Sequence, residues 1–240
     1  MKIELAKSSE VIADIAELFR RELEQKDIYG TVYTSPKLDN FLMKLSLDRV
    51  DEFLTITDSG VLLGAMQFRV FPNALHINNI AVSSSHHNRG IGSKLILWII
   101  RRASDFGLNV TLDVSLNNKR AISWYKRIGF LENSLTSKLI FLCDGLQSMN
   151  RIVVFDSLSN LNDYGFSEAR LSTERISRFF CILDRFIRLK SGYKSTIEEI
   201  IWFKKNFNGY LIVNSECIED FSTLQPFFIQ SSAKMELKCG

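Results

Sequence analysis

The 240-residue chain has only three prolines and no segment rich in glycine and serine, so no flexible tether separates one part from another. Its four cysteines, Cys143, Cys181, Cys217 and Cys239, contain no Cys-x-x-Cys pair. That argues against a zinc site, and no metal is expected; the thiols read as reduced groups of a cytoplasmic protein. Apolar runs are short: residues 95–100 form the longest near the middle, far below the roughly 18 residues that span a bilayer. The opening residues 1–7 include Glu4 and lack the apolar core of a signal peptide. No excess of one charge exists either. Thirty basic residues face 27 acidic ones, a net +3, which gives no reason to expect a nucleic-acid or membrane partner. Internal repeats and low-complexity tracts are absent as well.

What is present is globular in composition, 46% hydrophobic and 24% charged. Ile12, Ile15, Leu18, Phe19 and Leu23 share one face of a helix over residues 11–24, with Ser8 and Ser9 as caps. A second helix is expected over 36–47. Strands are expected at 3–5, 52–57, 61–70 and 74–82. A helix then starts near Gly90, with Ile91, Leu95, Trp98 and Ile99 as its stripe. Next come a strand at 109–114, a helix at 119–128 between Asn118 and Gly129, and a strand at 138–142. Past residue 145 the pattern changes to a strand at 151–155 and a polar loop at 159–164. Ile176, Phe179, Phe180, Leu183, Phe186 and Ile187 then define an amphipathic helix. Ser195 to Glu198 fit a capping box for a helix to about 207, and residues 210–213 read as a strand. The expectation is an α+β protein with a mixed sheet flanked by helices over 1–145, followed by a smaller α+β segment of unknown role over 146–240.

The most informative segment is His87-Asn-Arg-Gly-Ile-Gly-Ser93, between a strand and an amphipathic helix. Glycines let backbone approach a ligand, and a helix N-terminus offers unpaired N–H groups and the positive end of a dipole. Together they suit a phosphate; Gly90 and Gly92 could equally only shape a turn. A P-loop needs four residues between its glycines, and here Ile91 alone separates them. A dinucleotide fingerprint needs a third glycine where Leu95 stands, although Asp113 lies at a suitable distance beyond it.

Four strands, the loop, then helix, strand, helix and strand is an order that resembles the GNAT superfamily of acyl-CoA-dependent N-acyltransferases. Its first signature, Gln/Arg-x-x-Gly-x-Gly/Ala after an apolar-x-Val strand end, is matched by Ile80-Ala81-Val82 and then His87, Gly90 and Gly92. Its second, Asn-x-x-Ala-x-x-x-Tyr-x-x-x-Gly-Phe, is matched by Asn118, Ala121, Tyr125, Gly129 and Phe130. The resemblance covers residues 1–145. The leading Gln/Arg is replaced by His87, and the tail holds no second copy of either motif.

The resemblance implies an N-acetyltransferase that moves an acetyl group from acetyl-CoA to a primary amine by direct attack. The amides of Asn88, Arg89, Gly90, Ile91, Gly92 and Ser93, behind His87, would cradle the pyrophosphate. The backbone of Ile80, Ala81 and Val82 would pair with pantetheine. Asn118 is a helix cap, a cofactor contact, or both. Tyr125 stands where the family commonly has the proton donor for the departing thiolate; its bland alternative is a packed aromatic beside Trp124. An attacking amine must lose a proton. His76 occupies the position of a strand Glu that serves as base in several members, with water or another residue as alternatives. Asn79 sits where many members carry an acid, while Glu52 and Asp113 are weaker candidates. The acceptor is a small molecule or a protein amine, and a homodimer is compatible with the sequence. A competing reading is a catalytically silent CoA-binding or regulatory module; a nucleotide-binding protein is a third.

Overall fold

The computed structural model describes residues 1–23, 31–144, 153–155, 163–164, 167–172, 177–183, 186–189, 194–218, 224, 226 and 228–239. They form two compact units: Met1–Asp27, Asp39–Leu135 and Ser232–Gly240 in one, Ile28–Leu38 and Thr136–Ser231 in the other.

The first unit is built on strands β1 (Lys2–Leu5), β2 (Glu52–Asp58), β3 (Val61–Phe71), β4 (Ala74–Val82) and β5 (Asn109–Ser115), side by side in that order. Neighbours are antiparallel except β4 and β5, which run parallel. Helix α1 (Ser9–Glu22) is capped by the Ser8 hydroxyl, which accepts from Val11 N–H. Its buried Ile12, Ile15 and Phe19 cover β3 and β4 on one face of the sheet. Helix α2 (Leu38–Leu47) leads into β2, starting two residues after Pro36. Helix α3 (Ile91–Asp105) lies on the opposite face. Its Ile91, Leu95, Ile96 and Ile99 share a core with Leu54, Ile56, Met66, Phe68, Leu75 and Ile77. Helix α4 (Lys119–Ile128) follows β5, with the Asn118 side chain accepting from Ala121 N–H and Gly129 at φ 109 closing it.

Two departures from regular pairing shape β4. Gln67 pairs with Asn79 but Phe68 pairs with Ile77, so Asn78 is the extra residue of a bulge. In addition, the ladder to β5 ends at Ile77 opposite Leu112, and β4 continues five residues further along an edge that β5 does not occupy.

The last strand, β12 (Phe228–Leu237), sends Ser232–Leu237 antiparallel along the other edge of β5. Ala233 and Met235 are fully buried in the α3 core. Residues near 235 therefore complete the unit whose sequence-based boundary was drawn at 145, and its contiguous part ends at Leu135.

The second unit places β6 (Leu131–Asp144, of which Leu139 and Phe141 lie in its core) against β11 (Asn208–Asn214). Strands β10 (Phe186–Leu189), β9 (Ser177–Leu183), β8 (Ser167–Ser172) and β7 (Val153–Phe155) follow in that order. The helix expected from Ile176 to Ile187 is a β-hairpin instead, with Phe186 opposite Leu183 and Ile187 opposite Ile182; Ile176 lies outside the described residues. Phe179-Phe180-Cys181-Ile182 is rich in aromatic and β-branched residues, which fit a pleated surface better than a helix. Helix α5 (Ile197–Asn206) has its capping box at Thr196 and Glu199, one residue later than expected; Ser195 is buried and bridges to Ile218. The expected loop at 159–164 lies almost wholly outside the described residues.

Candidate active site

A cleft of about 360 Å³ opens between the β4 end, the glycine loop and α4. Ile80 and Val82 form its strand wall. They face the α3 side because the bulge at Asn78 shifts the alternation of β4. Val82 O accepts from His87 Nε2–H at 2.9 Å, which sets the imidazole tautomer, since a carbonyl can only accept. The chain then turns through two left-handed residues, Asn88 at φ 62 and Gly90 at φ 75. Asn88 is held there by Arg120, whose Nη2 donates to Asn88 Oδ1 at 3.1 Å. Gly90 opens α3 without a side-chain cap, and its carbonyl accepts from Lys94 N–H. The N–H groups of Ile91, Gly92 and Ser93 are left without intrahelical acceptors.

Packing around Gly92 is tight, so that a side chain there would make the Trp124 ring give way by a few tenths of an ångström. A Cβ there would stand 3.3 Å from the Trp124 ring, which lines the cleft, and 3.7 Å from Val82 Cγ2. Gly90 is required by conformation; a Cβ would meet nothing, but a left-handed φ strains other residues.

Arg120 and Arg127 line the cleft from α4, His86 and His87 from the loop, and no lining residue is acidic. The site is thus an anion receptor built of backbone amides and guanidinium groups. Among the described residues, no group of three or more His, Cys, Asp or Glu is arranged to hold a metal. Nor is any described helix long and apolar enough to cross a membrane.

Of the residues expected to contact a cofactor, Ile80, Val82, His87, Asn88, Gly90, Ile91, Gly92, Ser93 and Asn118 meet at this cleft. Asn118 both caps α4 and lines the wall. Ala81, buried, and Arg89, exposed, are outside the lining. So is Tyr125, which is 6% exposed behind Trp124, its ring 4.9 Å from Trp124 and 5.5 Å from Phe130. Burial pushes the Tyr125 phenol well above its usual range, so it stays protonated. Arg120, Trp124 and Arg127 escaped the sequence reading. Their spacing of four and three residues puts them on one face of α4, but spacing alone does not say that this face meets the cleft.

His76 stands apart from the cleft lining. Its Nδ1 hydrogen-bonds with Thr111 Oγ1 at 2.9 Å, directly across the β4–β5 ladder, and its Nε2 lies 4.0 Å from the Asp113 carboxylate. Burial lowers its pKa below 6.5, against the opposing pull of Asp113; neutral imidazole is the favoured form. Glu52, the other acid weighed as a base, is held by Arg102 through two hydrogen bonds of 3.0 Å.

A second polar group lies at the bulge. Asp51, just before β2, is buried and accepts from Gln67 Nε2 at 2.6 Å, Arg69 Nε at 2.6 Å and Asn78 Nδ2 at 3.2 Å. Asn79 Nδ2 donates to Gln67 Oε1 at 3.2 Å. Gln67 is a polar interruption in the apolar run of β3, a signal the sequence carried but that was not read.

Residues 12–130 match the family model described as the acetyltransferase (GNAT) family. A comparison with curated protein sequences finds no match. Among solved structures, a candidate acetyltransferase from Thermoplasma acidophilum is 12% identical, with a TM-score of 0.59 over 99% of this chain and 100% of that one. The protein smu.2055 from Streptococcus mutans UA159 is 19% identical, with a TM-score of 0.50 over 57% of this chain and 87% of that one. The PaiA N-acetyltransferase from Thermoplasma acidophilum, solved with coenzyme A, is 20% identical, with a TM-score of 0.46 over 55% of this chain and 92% of that one. The first of these likenesses extends the shared fold to both units.

Proposed function

With residues 12–130 a domain of the acetyltransferase (GNAT) family, we propose that the chain transfers the acetyl group of acetyl-CoA to a primary amine by direct attack, without a covalent enzyme intermediate. The observation that carries this reading is the cleft itself: two left-handed loop residues, a helix N-terminus and two arginines, continuous with the strand edge of β4 that β5 leaves open. Pyrophosphate fits the amides of Ile91 to Ser93 with Arg120 and Arg127 alongside. Pantetheine, with two amides of its own, fits the open edge near Ile80 and Val82 as an added strand does. Its thioester then points toward the bulge at Asn78 and Asn79.

In the reaction the amine nitrogen forms a bond to the carbonyl carbon, the carbon–sulfur bond breaks, and the amine loses a proton while the thiolate gains one. Tyr125, protonated at every working pH, is assigned as the proton donor. Neutral His76 is assigned as the base acting through water, in keeping with its position outside the cleft lining. The deep burial of Tyr125 favours a second reading, a CoA-binding module without turnover. Calorimetry with acetyl-CoA, followed by measurement of CoA release across an amine panel, decides between them: binding with release supports the enzyme, binding without release the module, and no binding removes both.

A further inference from the structure

Asp51 dictates which way a chain of carboxamides points. Its side chain is 1% exposed and paired with Arg69, and a carboxylate offers acceptors only. Gln67 must therefore give Asp51 its NH2 group and turn Oε1 the other way, where Asn79 Nδ2 meets it. Asn79 in turn must spend its NH2 on Gln67 and face Oδ1 away. The polarity of Asn79 is thus set two residues upstream in the relay, and the bulge is what brings Asn78 and Asn79 together on the Asp51 side of the sheet.

The position of Asn79 gives that polarity a use. It lies beyond the last β4–β5 pair, where the edge of β4 is open, on the sheet face opposite the Ile80 and Val82 wall and outside the cleft lining itself. We propose that Asp51, acting through Gln67, holds the Asn79 carboxamide oxygen toward the acceptor amine, so that the substrate nitrogen is recognised as a hydrogen-bond donor at a neutral oxygen rather than by an ion pair. Asn79 is then a substrate contact, and Asp51 and Gln67 are positioning residues. This rests on the acetyl-transfer reading above. It extends that reading by naming what selects the nitrogen.

Asp51→Asn is the diagnostic change. Arg69 can only donate, so it keeps the remaining oxygen of Asn at 51 and turns the new NH2 group to Gln67. Asn78, which donates to the same Asp51 oxygen as Gln67, must reverse with Gln67 and Asn79, and an NH2 group replaces the oxygen that faced the amine. The full-length chain is assayed with spermidine, an aminoglycoside and an alanine-terminated peptide, and the fastest of these is used for the variants. Asp51→Asn should raise the acceptor KM roughly tenfold, as expected for one lost hydrogen bond with a mismatched partner, while the acetyl-CoA Kd stays within twofold. Adding Asn79→Asp should restore the acceptor KM, because a carboxylate accepts from both sides. NMR of the side-chain amides reads the relay independently: the Asn79 Nδ2 protons should be protected from exchange in the parent chain and lose protection in Asp51→Asn. An unchanged acceptor KM, a double variant no better than the single one, or unchanged Asn79 protection would each overturn the relay. If no amine in the panel reacts, the protection measurement alone decides it. Failure of the parent chain to bind acetyl-CoA would instead remove the acetyl-transfer reading, whatever the amide signals show.

Discussion

Met235 lies directly opposite Leu112 in the antiparallel ladder between β12 and β5, and both side chains are buried in the core that also holds Tyr125 and Phe130. The last strand of the chain is thus part of the first unit's interior. Met235→Ala should lower stability by about 2–5 kcal/mol, the usual range for such a truncation in a packed core. Chain shortened after residue 144 should aggregate or melt far below the full chain. A full-length-like melting temperature for the short form would contradict this account of the core.

Gly92→Val should weaken acetyl-CoA binding at least tenfold by driving Trp124 into the cleft, and Gly90→Val should do so by straining the left-handed turn. Titration calorimetry reads the affinity, and circular dichroism shows whether the fold persists. Unchanged affinity in a folded variant would remove the loop from the site.

Arg120→Ala removes a cleft cation and the hydrogen bond that holds Asn88. Its effect on acetyl-CoA affinity should be about three- to tenfold at low salt and should shrink as ionic strength rises. An affinity loss that does not vary with salt would point to loop collapse rather than to charge.

These two expectations show unequally legible parts of the sequence. Gly90, Gly92, Asn118 and Gly129 each have a local backbone reason to be what they are, so the loop and α4 could be read without a fold. Arg120, Trp124 and Arg127 became visible only once α4 had an orientation, because a helix surface offers several stripes and sequence spacing does not say which one faces a cleft. The 176–187 segment fits a helix by its apolar spacing, but the same residues satisfy strand pairing, and the aromatic and β-branched run Phe179-Phe180-Cys181-Ile182 favours the strand. Strand β12 does carry a local strand signal, the alternation of Ala233, Met235 and Leu237 with Lys234, Glu236 and Lys238, but only the fold shows that this strand pairs with β5. Asp51 and Gln67 are linked through tertiary contact alone.

Tyr125→Phe should reduce turnover by roughly 10²-fold while leaving the acetyl-CoA Kd nearly unchanged, as loss of a general acid does. Equal turnover in the Phe variant would leave the thiolate to be protonated by water.

His76 supplies a pH test with a defined sign. Burial lowers its folded pKa below the 6.5 of an unperturbed imidazole, so the unfolded chain binds its proton more readily as pH falls. The stability it contributes is present above about 6.5 and is lost at lower pH. His76→Gln keeps a polar partner for Thr111 and should flatten the decline in melting temperature between pH 7 and 5. If His76 is also the base, the acidic limb of the pH–rate profile should flatten in the same variant. A flattened melting curve with an unchanged rate profile would make His76 a structural residue only.

The return of β12 to β5 also governs the order in which the protein can be made. A ribosome releases β5 and α4 long before Ala233 and Met235, with Thr136–Ser231 of the second unit synthesised in between. The first unit therefore cannot close its core as it emerges, although nascent domains commonly fold from the N-terminal side. Until the last strand arrives, β5 keeps an unpaired backbone edge, the kind of surface that recruits wrong partners. The second unit is the natural first folder, and by folding it shortens the loop that must close between β5 and β12. An early stop in translation should consequently leave a product that depends on chaperones even though both sequence signatures of the acetyltransferase domain are already complete.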